Sequence, residues 1–403
     1  MSKVLWAKNT LPKTDDRYLS LMDLGEVKNA LNFHRGFPEY AVTPLQTLKA
    51  FAAELGLGGL YVKDESYRFG LNAFKVLGGS YAIGKFVAGQ LGRDIGEVDC
   101  AFLTSDAFKR DFAPRTFFTA TDGNHGRGVA WSANRLGQKA VVLMPEGTVK
   151  SRFENIKKLG ADVQIKPLNY DDCVREAAML SAKTPGSVVV QDTAWDGYEE
   201  IPGYIMQGYG TLIAEAIDQL AQNGVSPTHV LVQAGVGSLA AAVQGYLVNR
   251  FPENPPKVVV MECRAADCFY RSAASNDGEA QAVGGALDSI MAGLCCGEAS
   301  PIAWDILRNH AAAFCSCEDS VSAAGMRRLS SPLVGDPRVI SGESGAVGMG
   351  LIDLICRGGD YDGLKTALGL DETSQVLLIS TEGDTDPERY RAIVWDGTYP
   401  SAE

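Results

Sequence analysis

The chain has 403 residues, with 37 Lys+Arg against 49 Asp+Glu for a formal net charge of −12, and 46% of its residues are hydrophobic. That length suggests two to three domain-sized units and that composition a full apolar core, which excludes a disordered chain and a small stapled scaffold. The acidic balance argues against a nucleic-acid partner, because phosphate contacts need clustered Lys and Arg.

In chain order, Met1–Asn9 holds no apolar run of signal-peptide length, and no stretch approaches the ~18 apolar residues of a membrane helix. Leu45, Leu48, Phe51, Ala52 and Leu55 recur at helical spacing behind Thr43 as cap and Pro44 in the first turn. A helix is therefore expected there, stopped by Gly56 or Gly58. Leu60–Val62 reads as a strand. Thr116–Ala120 reads as another, followed by a glycine-rich turn and a helix to Leu136 that Gly137 ends. Ala140–Met144 is an expected strand, Val149–Leu159 a helix stopped by Gly160, and Val163–Lys166 a strand. Asp171–Ala182 is an expected helix and Ser187–Gln191 a strand. Further on, strands are expected at Val230–Gln233 and Val258–Met261, with a helix at Leu239–Phe251 between them. Apolar, unalternating strands separated by helices indicate an α/β protein with parallel sheets covered on both faces. No fixed-period repeat or tether is visible, so interleaved domains are expected.

The nine cysteines run from Cys100 to Cys356. Cys295-Cys296 and Cys315-Ser316-Cys317 lack C-x-x-C spacing and a neighbouring His pair, so buried small apolar residues are expected rather than a metal site. The default is a reduced, cytoplasmic chain, with a single disulfide from Cys268 left open.

In parallel sheets ligands bind beyond the carboxyl ends of the strands, and three such segments carry candidate chemistry. Lys75 lies between Phe74 and Val76 at an apolar helix start. Desolvation there would lower its pKa and favour a neutral amine able to form a Schiff base; the alternative is a snorkelling surface lysine. Thr121-Asp122-Gly123-Asn124-His125-Gly126 follows a strand and opens a helix, where backbone N–H groups bind anions; it can also be a plain turn. Gln233-Ala234-Gly235-Val236-Gly237-Ser238-Leu239-Ala240 is a third strand–turn–helix, able to cradle a phosphate. It also satisfies G-x-G-x-x-A, with Glu262 placed as a ribose-binding acid, so a nicotinamide-dependent oxidoreductase competes on that motif.

A buried lysine, a polar G-N-H-G loop and a glycine-rich cradle, in that order, resemble the fold type II (tryptophan synthase β-like) pyridoxal-phosphate enzymes. Within that family the chain is most similar to the ammonia-lyases of 2,3-diaminopropionate. The similarity rests on Phe69–Tyr81, Thr119–Trp131, Gln191–Trp195, Gln233–Gly237, Ser341–Gly348 and Ser380–Asp386. It spans roughly residues 35 to 396. Relatives acting on hydroxyl substrates commonly carry Ser-x-Gly-Asn-His-Gly where this chain has Thr-Asp-Gly-Asn-His-Gly.

The resemblance implies two interleaved three-layer α/β domains with mainly parallel sheets. Residues 1–88 and 193–403 would form the large cofactor-binding domain and 89–192 the small one. It implies pyridoxal 5'-phosphate as cofactor, a homodimer, and amino-acid degradation as the setting. The reaction implied is α,β-elimination of L- and D-2,3-diaminopropionate to pyruvate and two ammonia. Lys75 would be the Schiff-base lysine and the base for the L isomer. Asp122 would be the base on the opposite face, and Asp192 would contact the distal amine; for Asp192 a cap or turn role is the alternative. Asn124 would bond the cofactor's phenolic oxygen, and Gly235, Val236, Gly237, Ser238 and Leu239 would hold its phosphate. Ser380 or Thr381 would meet the ring nitrogen, and Glu343 would lie near the ring. Ser80, Thr121 and His125, with Asp122, Asn124 and Asp192, would line the substrate. A serine/threonine dehydratase-type lyase is the second reading, and a non-catalytic amino-acid sensor a more distant one that Lys75 argues against.

Overall fold

The computed structural model describes residues 2–400. Its eleven strands are β1 (Val4–Lys8), β2 (Leu45–Thr47), β3 (Gly59–Asp64), β4 (Thr116–Ala120), β5 (Lys139–Met144), β6 (Asp162–Ile165), β7 (Ser187–Val189), β8 (His229–Gln233), β9 (Lys257–Cys263), β10 (Ala313–Cys317) and β11 (Gln375–Ser380). They form two sheets. Seven strands run in the order β1-β10-β9-β8-β11-β3-β2 and four in the order β6-β5-β4-β7. The smaller sheet is wholly parallel. The larger is parallel through its five central strands, and an antiparallel strand closes each edge, β1 on β10 and β2 on β3. Strands β3, β8 and β10 are buried at every residue, as expected of sheets with helices on both faces.

Of three apolar clusters among the described residues, one spans both sheets. It takes in Phe117, Val129 and Val142 beside the small sheet and Val230, Val258 and Leu377 of the large one. The helix Val76–Leu91 lies at this junction and packs on the helices Asn124–Arg135 and Glu200–Gln222. Glycines allow the close approach. A Cβ at Gly128 would stand 2.8 Å from the Val76 Cα, and one at Gly208 would stand 2.4 Å from the Leu77 carbonyl oxygen.

Most expected elements are present within one or two residues. One differs in kind. Leu45–Thr47 is a strand, and the helix begins only at Lys49. Pairing with β3 outweighs the local helical spacing, and Thr43 does not cap; its hydroxyl donates to Glu65 Oε1 at 2.6 Å. Gly56 ends the shortened helix at φ 67, the left-handed geometry that glycine adopts without strain. Cys315 and Cys317 are buried on β10, and all nine cysteines are free thiols.

Candidate active site

The carboxyl ends of β3, β4, β7, β8 and β11 converge on a cavity between the two sheets. Lys75, Asn124, Asp192, Gly235, Val236, Gly237, Ser238, Leu239 and Thr381 line it, and Phe74, Tyr209, Gln233, Ser344 and Glu382 are also part of the wall.

Lys75 is the residue before the helix Val76–Leu91. Its Nζ donates to Asp192 Oδ2 at 3.0 Å. The expectation of a neutral amine is overturned here. Burial pulls the Lys75 pKa down, but the Asp192 carboxylate, seconded by Tyr209 and Asp122, pulls it up further, and the net shift is upward. Burial likewise raises the Asp192 pKa, yet Lys75 and His125 outweigh it and hold the carboxyl below its ordinary range. As a free amine the lysine is thus an ammonium in a part-buried ion pair. Asp192 Oδ1 accepts from Tyr170 Oη and Gln191 Nε2, each at 3.2 Å, so Asp192 is a tertiary anchor and not a helix cap. The adjoining Gln191 N–H takes the Tyr198 hydroxyl at 2.8 Å, which ends β7 two residues early.

His125 lies behind Asp192. Its Nε2 bonds the Val190 carbonyl at 2.8 Å, and its Nδ1 stands 3.8 Å from Asp192 Oδ2 with no hydrogen-bond partner. Burial first, then Lys75, lower its pKa, so the ring is neutral. Thr121 Oγ1 accepts from the N–H groups of Gly123 and Gly126 at 2.8 and 3.0 Å and so shapes the loop from within. Asn124 Nδ2 donates to Glu382 Oε2 at 2.5 Å, and Glu382 Oε1 accepts from the Ser344 N–H at 3.1 Å.

Six named residues stand off the wall, Thr121 and His125 among them. Asp122 pairs with Arg152 at 3.3 Å and lines an adjoining cavity that Cys295 and Arg389 also line. Ser80 is buried against His34 Nε2 at 3.2 Å. Ser380 donates to Ser341 Oγ at 2.8 Å, whereas Thr381 lines the cavity and accepts from Gln233 Nε2 at 2.9 Å. Glu343 is buried with Oε1 unpartnered; burial and Glu382 raise its pKa to about 7.

The loop Gly235–Leu239 opens the helix Ser238–Arg250, whose first N–H groups have no intrahelical acceptor. A Cβ at Gly235 would meet Cys296 Sγ at 3.0 Å, and one at Gly237, where φ is 93, would meet the Phe269 ring at 2.3 Å. The loop can bend this tightly only with glycines there. Ser238 Oγ donates to the Asp192 carbonyl, tying cradle to anchor. The buried Tyr209 Oη, Gln233 Oε1 and Ser344 Oγ face this space without a partner. Unmet buried polar groups are costly. Together with an amine at one end and a helix N-terminus at the other, they fit a polar, phosphate-bearing carbonyl compound.

The nicotinamide reading loses its acid. Glu262 is fully buried on β9, and its two oxygens accept from the Phe269 and Tyr270 N–H groups at 2.8 and 2.7 Å. It serves the first turn of the helix Cys268–Ser275 and faces no ligand space.

These features define a pyridoxal-phosphate site of fold type II. Residues 37–367 match the model of the pyridoxal-phosphate dependent enzymes, and the chain belongs to that family. It is 51% identical over 381 residues to a diaminopropionate ammonia-lyase of Salmonella typhimurium, covering 94% of each chain. It superposes on the diaminopropionate ammonia lyase of Escherichia coli in complex with D-serine with a TM-score of 0.91, at 44% identity and 99% coverage of both chains. The same E. coli enzyme with an aminoacrylate–pyridoxal-phosphate azomethine reaction intermediate gives 0.87, also at 44% identity, covering 99% of this chain and 98% of that one.

Tyr170, Tyr209, Gln233, Ser344, Glu382 and Arg152 join the site through the structure rather than through the sequence. Gln233 and Glu382 sit at strand ends inside motifs already marked and could have been found there. The tyrosines and Arg152 reach the site from helices that carry no local motif.

Proposed function

We propose that this protein is a pyridoxal-phosphate-dependent ammonia-lyase that eliminates the β-amine of L- and D-2,3-diaminopropionate, giving pyruvate and two ammonia. The observation that carries this reading is the part-buried Lys75–Asp192 pair at 3.0 Å beside the Gly235–Leu239 cradle. Identity of 51% over nearly the whole chain to an enzyme of that name supports it.

Lys75 would hold the cofactor, the amides of Gly235–Leu239 its phosphate, Asn124 its phenolic oxygen and Thr381 its ring nitrogen. When bound, pyridoxal phosphate supplies an electron sink for charge left at Cα. Lys75, a neutral amine once substrate has replaced it on the cofactor, would take the Cα proton of the L isomer and return a proton to the departing β-amine. Asp122, brought in by the loop after β4, would take the Cα proton of the D isomer from the other side. Asp192, fixed by Tyr170 and Gln191, would hold the distal ammonium. The enamine released takes up one water to give pyruvate and the second ammonia. A serine or threonine dehydratase would need no such buried anion beside its leaving group.

We further infer a large cofactor domain of 1–88 and 193–403 and a small domain of 89–192. The four-stranded sheet falling wholly inside 89–192 supports this. A cytoplasmic homodimer is proposed from the family resemblance; no helix of the described residues is long and apolar enough to cross a membrane.

The test is direct. Purified protein should be yellow, and borohydride should fix the cofactor on Lys75 in the peptide map. Label on another lysine, or a colourless protein that gives no pyruvate from 2,3-diaminopropionate, would overturn the reading.

A further inference from the structure

A carboxylate just ahead of a helix ordinarily caps it, accepting from the free N–H groups of the first turn. Asp122 stands ahead of the helix Asn124–Arg135 and does not cap it. Thr121 Oγ1 takes the N–H groups of Gly123 and Gly126 instead. Among the described residues, the Asp122 carboxylate accepts from one donor, Arg152 Nη1, at 3.3 Å to Oδ2. The same nitrogen lies 3.5 Å from the Asp122 carbonyl oxygen. One donor thus grips both the side chain and the main chain of Asp122, which restricts its side-chain rotation.

Arg152 is itself fixed. It belongs to the helix Lys150–Lys157, which follows β5, and β5 pairs with β4 in parallel. The loop after β4 and the helix after β5 therefore meet at one end of the small sheet. The Arg152 stem lies along Gly123, where an added Cβ would stand 3.1 Å from Arg152 Cδ and 3.4 Å from its Cγ. Arg152 is 7% exposed, and among the described residues its guanidinium donates only to Asp122. Burying a cation is costly unless a partner offsets the loss of water, so this pair differs from a chance surface contact. The clamped oxygen also lies close to the cavity. Asp122 Oδ2 would stand 3.5 Å from a Cβ at Gly293, and Gly293 lines the cavity with Lys75. At this point the residue between the carboxylate and the cavity has no side chain.

We propose that Arg152 is the positioning residue for Asp122: its clamp aims the carboxylate past Gly293 at the Cα of the D isomer, so that turnover of the D isomer depends on Arg152 and turnover of the L isomer does not. This rests on the proposed function and deepens it, by naming what keeps the second base in place. Lys75, which serves the L isomer, is held by a different carboxylate, Asp192. An arginine that merely supported the loop would affect both isomers alike.

The experiment measures kcat and KM on D- and L-2,3-diaminopropionate for Arg152→Met, Arg152→Lys, Asp122→Asn and the double variant of Asp122→Asn with Arg152→Met. Methionine keeps an unbranched stem against Gly123 and removes the donor. It should lower kcat on the D isomer about tenfold to a hundredfold, the scale on which a misplaced reacting group is felt, and leave kcat on the L isomer close to wild type. Arg152→Lys keeps a cation and a donor and should recover part of the loss. In the Asp122→Asn background, Arg152→Met should add little, since the clamp has nothing left to aim. Cofactor affinity, read by an absorbance titration, should stay close to wild type in both arginine variants. Equal losses on the two isomers, a full further loss in the double variant, or a weakened cofactor affinity would overturn the clamp. If Asp122→Asn alone falls equally on both isomers, the two-base reading beneath fails and takes the inference with it. Should Arg152→Met not fold, Arg152→Gln is read in the same way, and an unchanged ratio of D to L rates would overturn the proposal.

Discussion

At the scale of single residues, charge at this site is set by distance in space rather than by sequence neighbours. Phe74 and Val76 make Lys75 look desolvated, and a neutral amine follows from that view. The residue that reverses it, Asp192, lies 117 positions away. Lys75, Asn124 and the Gly235–Leu239 cradle were legible because each sits in a strand–turn–helix whose signal is local. Asp192 entered only through resemblance, and Tyr209, Tyr170 and Arg152 not at all, since nothing near them in sequence marks them. Asp122 makes a sharp case at this scale. It pairs with Arg152 and stands off the wall that Lys75 lines. If it acts as base for one enantiomer, Asp122→Asn should cut kcat on D-2,3-diaminopropionate by about a hundredfold or more, the lower end of general-base contributions. Activity on the L isomer should fall far less. Steady-state rates on both isomers decide, and equal losses would contradict a two-base arrangement.

At the scale of elements, expectations succeeded where a strand is apolar and a glycine ends the following helix, as at β4 and β5. They failed at Leu45–Thr47, where an edge pairing decides a conformation that helical spacing had suggested. The helix Val76–Leu91 shows what spacing cannot reveal: its glycines serve neighbours. A Cβ at Gly78 would stand 2.6 Å from both Ile205 Cγ2 and Tyr209 Cε1. Gly78→Ala should therefore displace the Tyr209 ring from the cavity wall and cost about 1–3 kcal/mol of stability through overpacking. Thermal unfolding and a cofactor titration should both register it. A variant with unchanged Tm and cofactor affinity would show that the wall yields more easily than the contacts suggest.

At the scale of the whole molecule, buried titratable groups tie the helices to the sheet. His34 joins the helix Leu24–Arg35 to Thr211 and Leu77. Burial, with Arg68 adding to it, lowers its pKa to about 3. Glu215 accepts from Lys63 and Arg68 at 2.8 Å each. Burial raises its pKa, but Arg68 and Lys63 outweigh that and bring it to about 2. Both folded-state values lie below their unfolded ones, so the unfolded chain binds more protons in the interval between. The stability these groups confer is complete above the unfolded pKa values and drains away as pH falls through the folded ones. For His34 that window runs from about 6.5 down to about 3. Stability should accordingly fall between pH 7 and pH 4. His34→Asn should flatten the slope by roughly 1.4 kcal/mol per pH unit inside the window. Denaturant melts across that range give the answer, and parallel curves for the two proteins would refute it.

The strand order has a consequence for how the chain is made. β11, Gln375–Ser380, lies in the middle of the large sheet, between β8 and β3. A ribosome delivers it after the ten other strands. Until then β3 and β8 have a gap where their shared neighbour belongs, and the parallel sheet cannot close. The small sheet has no such debt, since β4 to β7 all fall between Thr116 and Val189 and pair only with one another. Domains that complete early in synthesis can fold early, whereas distant pairings are slow and leave strand edges exposed. The nascent protein thus carries a finished small sheet beside an unfinished large one. Thr381 and Glu382 follow directly on that strand, so the cofactor cavity cannot be complete before it is in place.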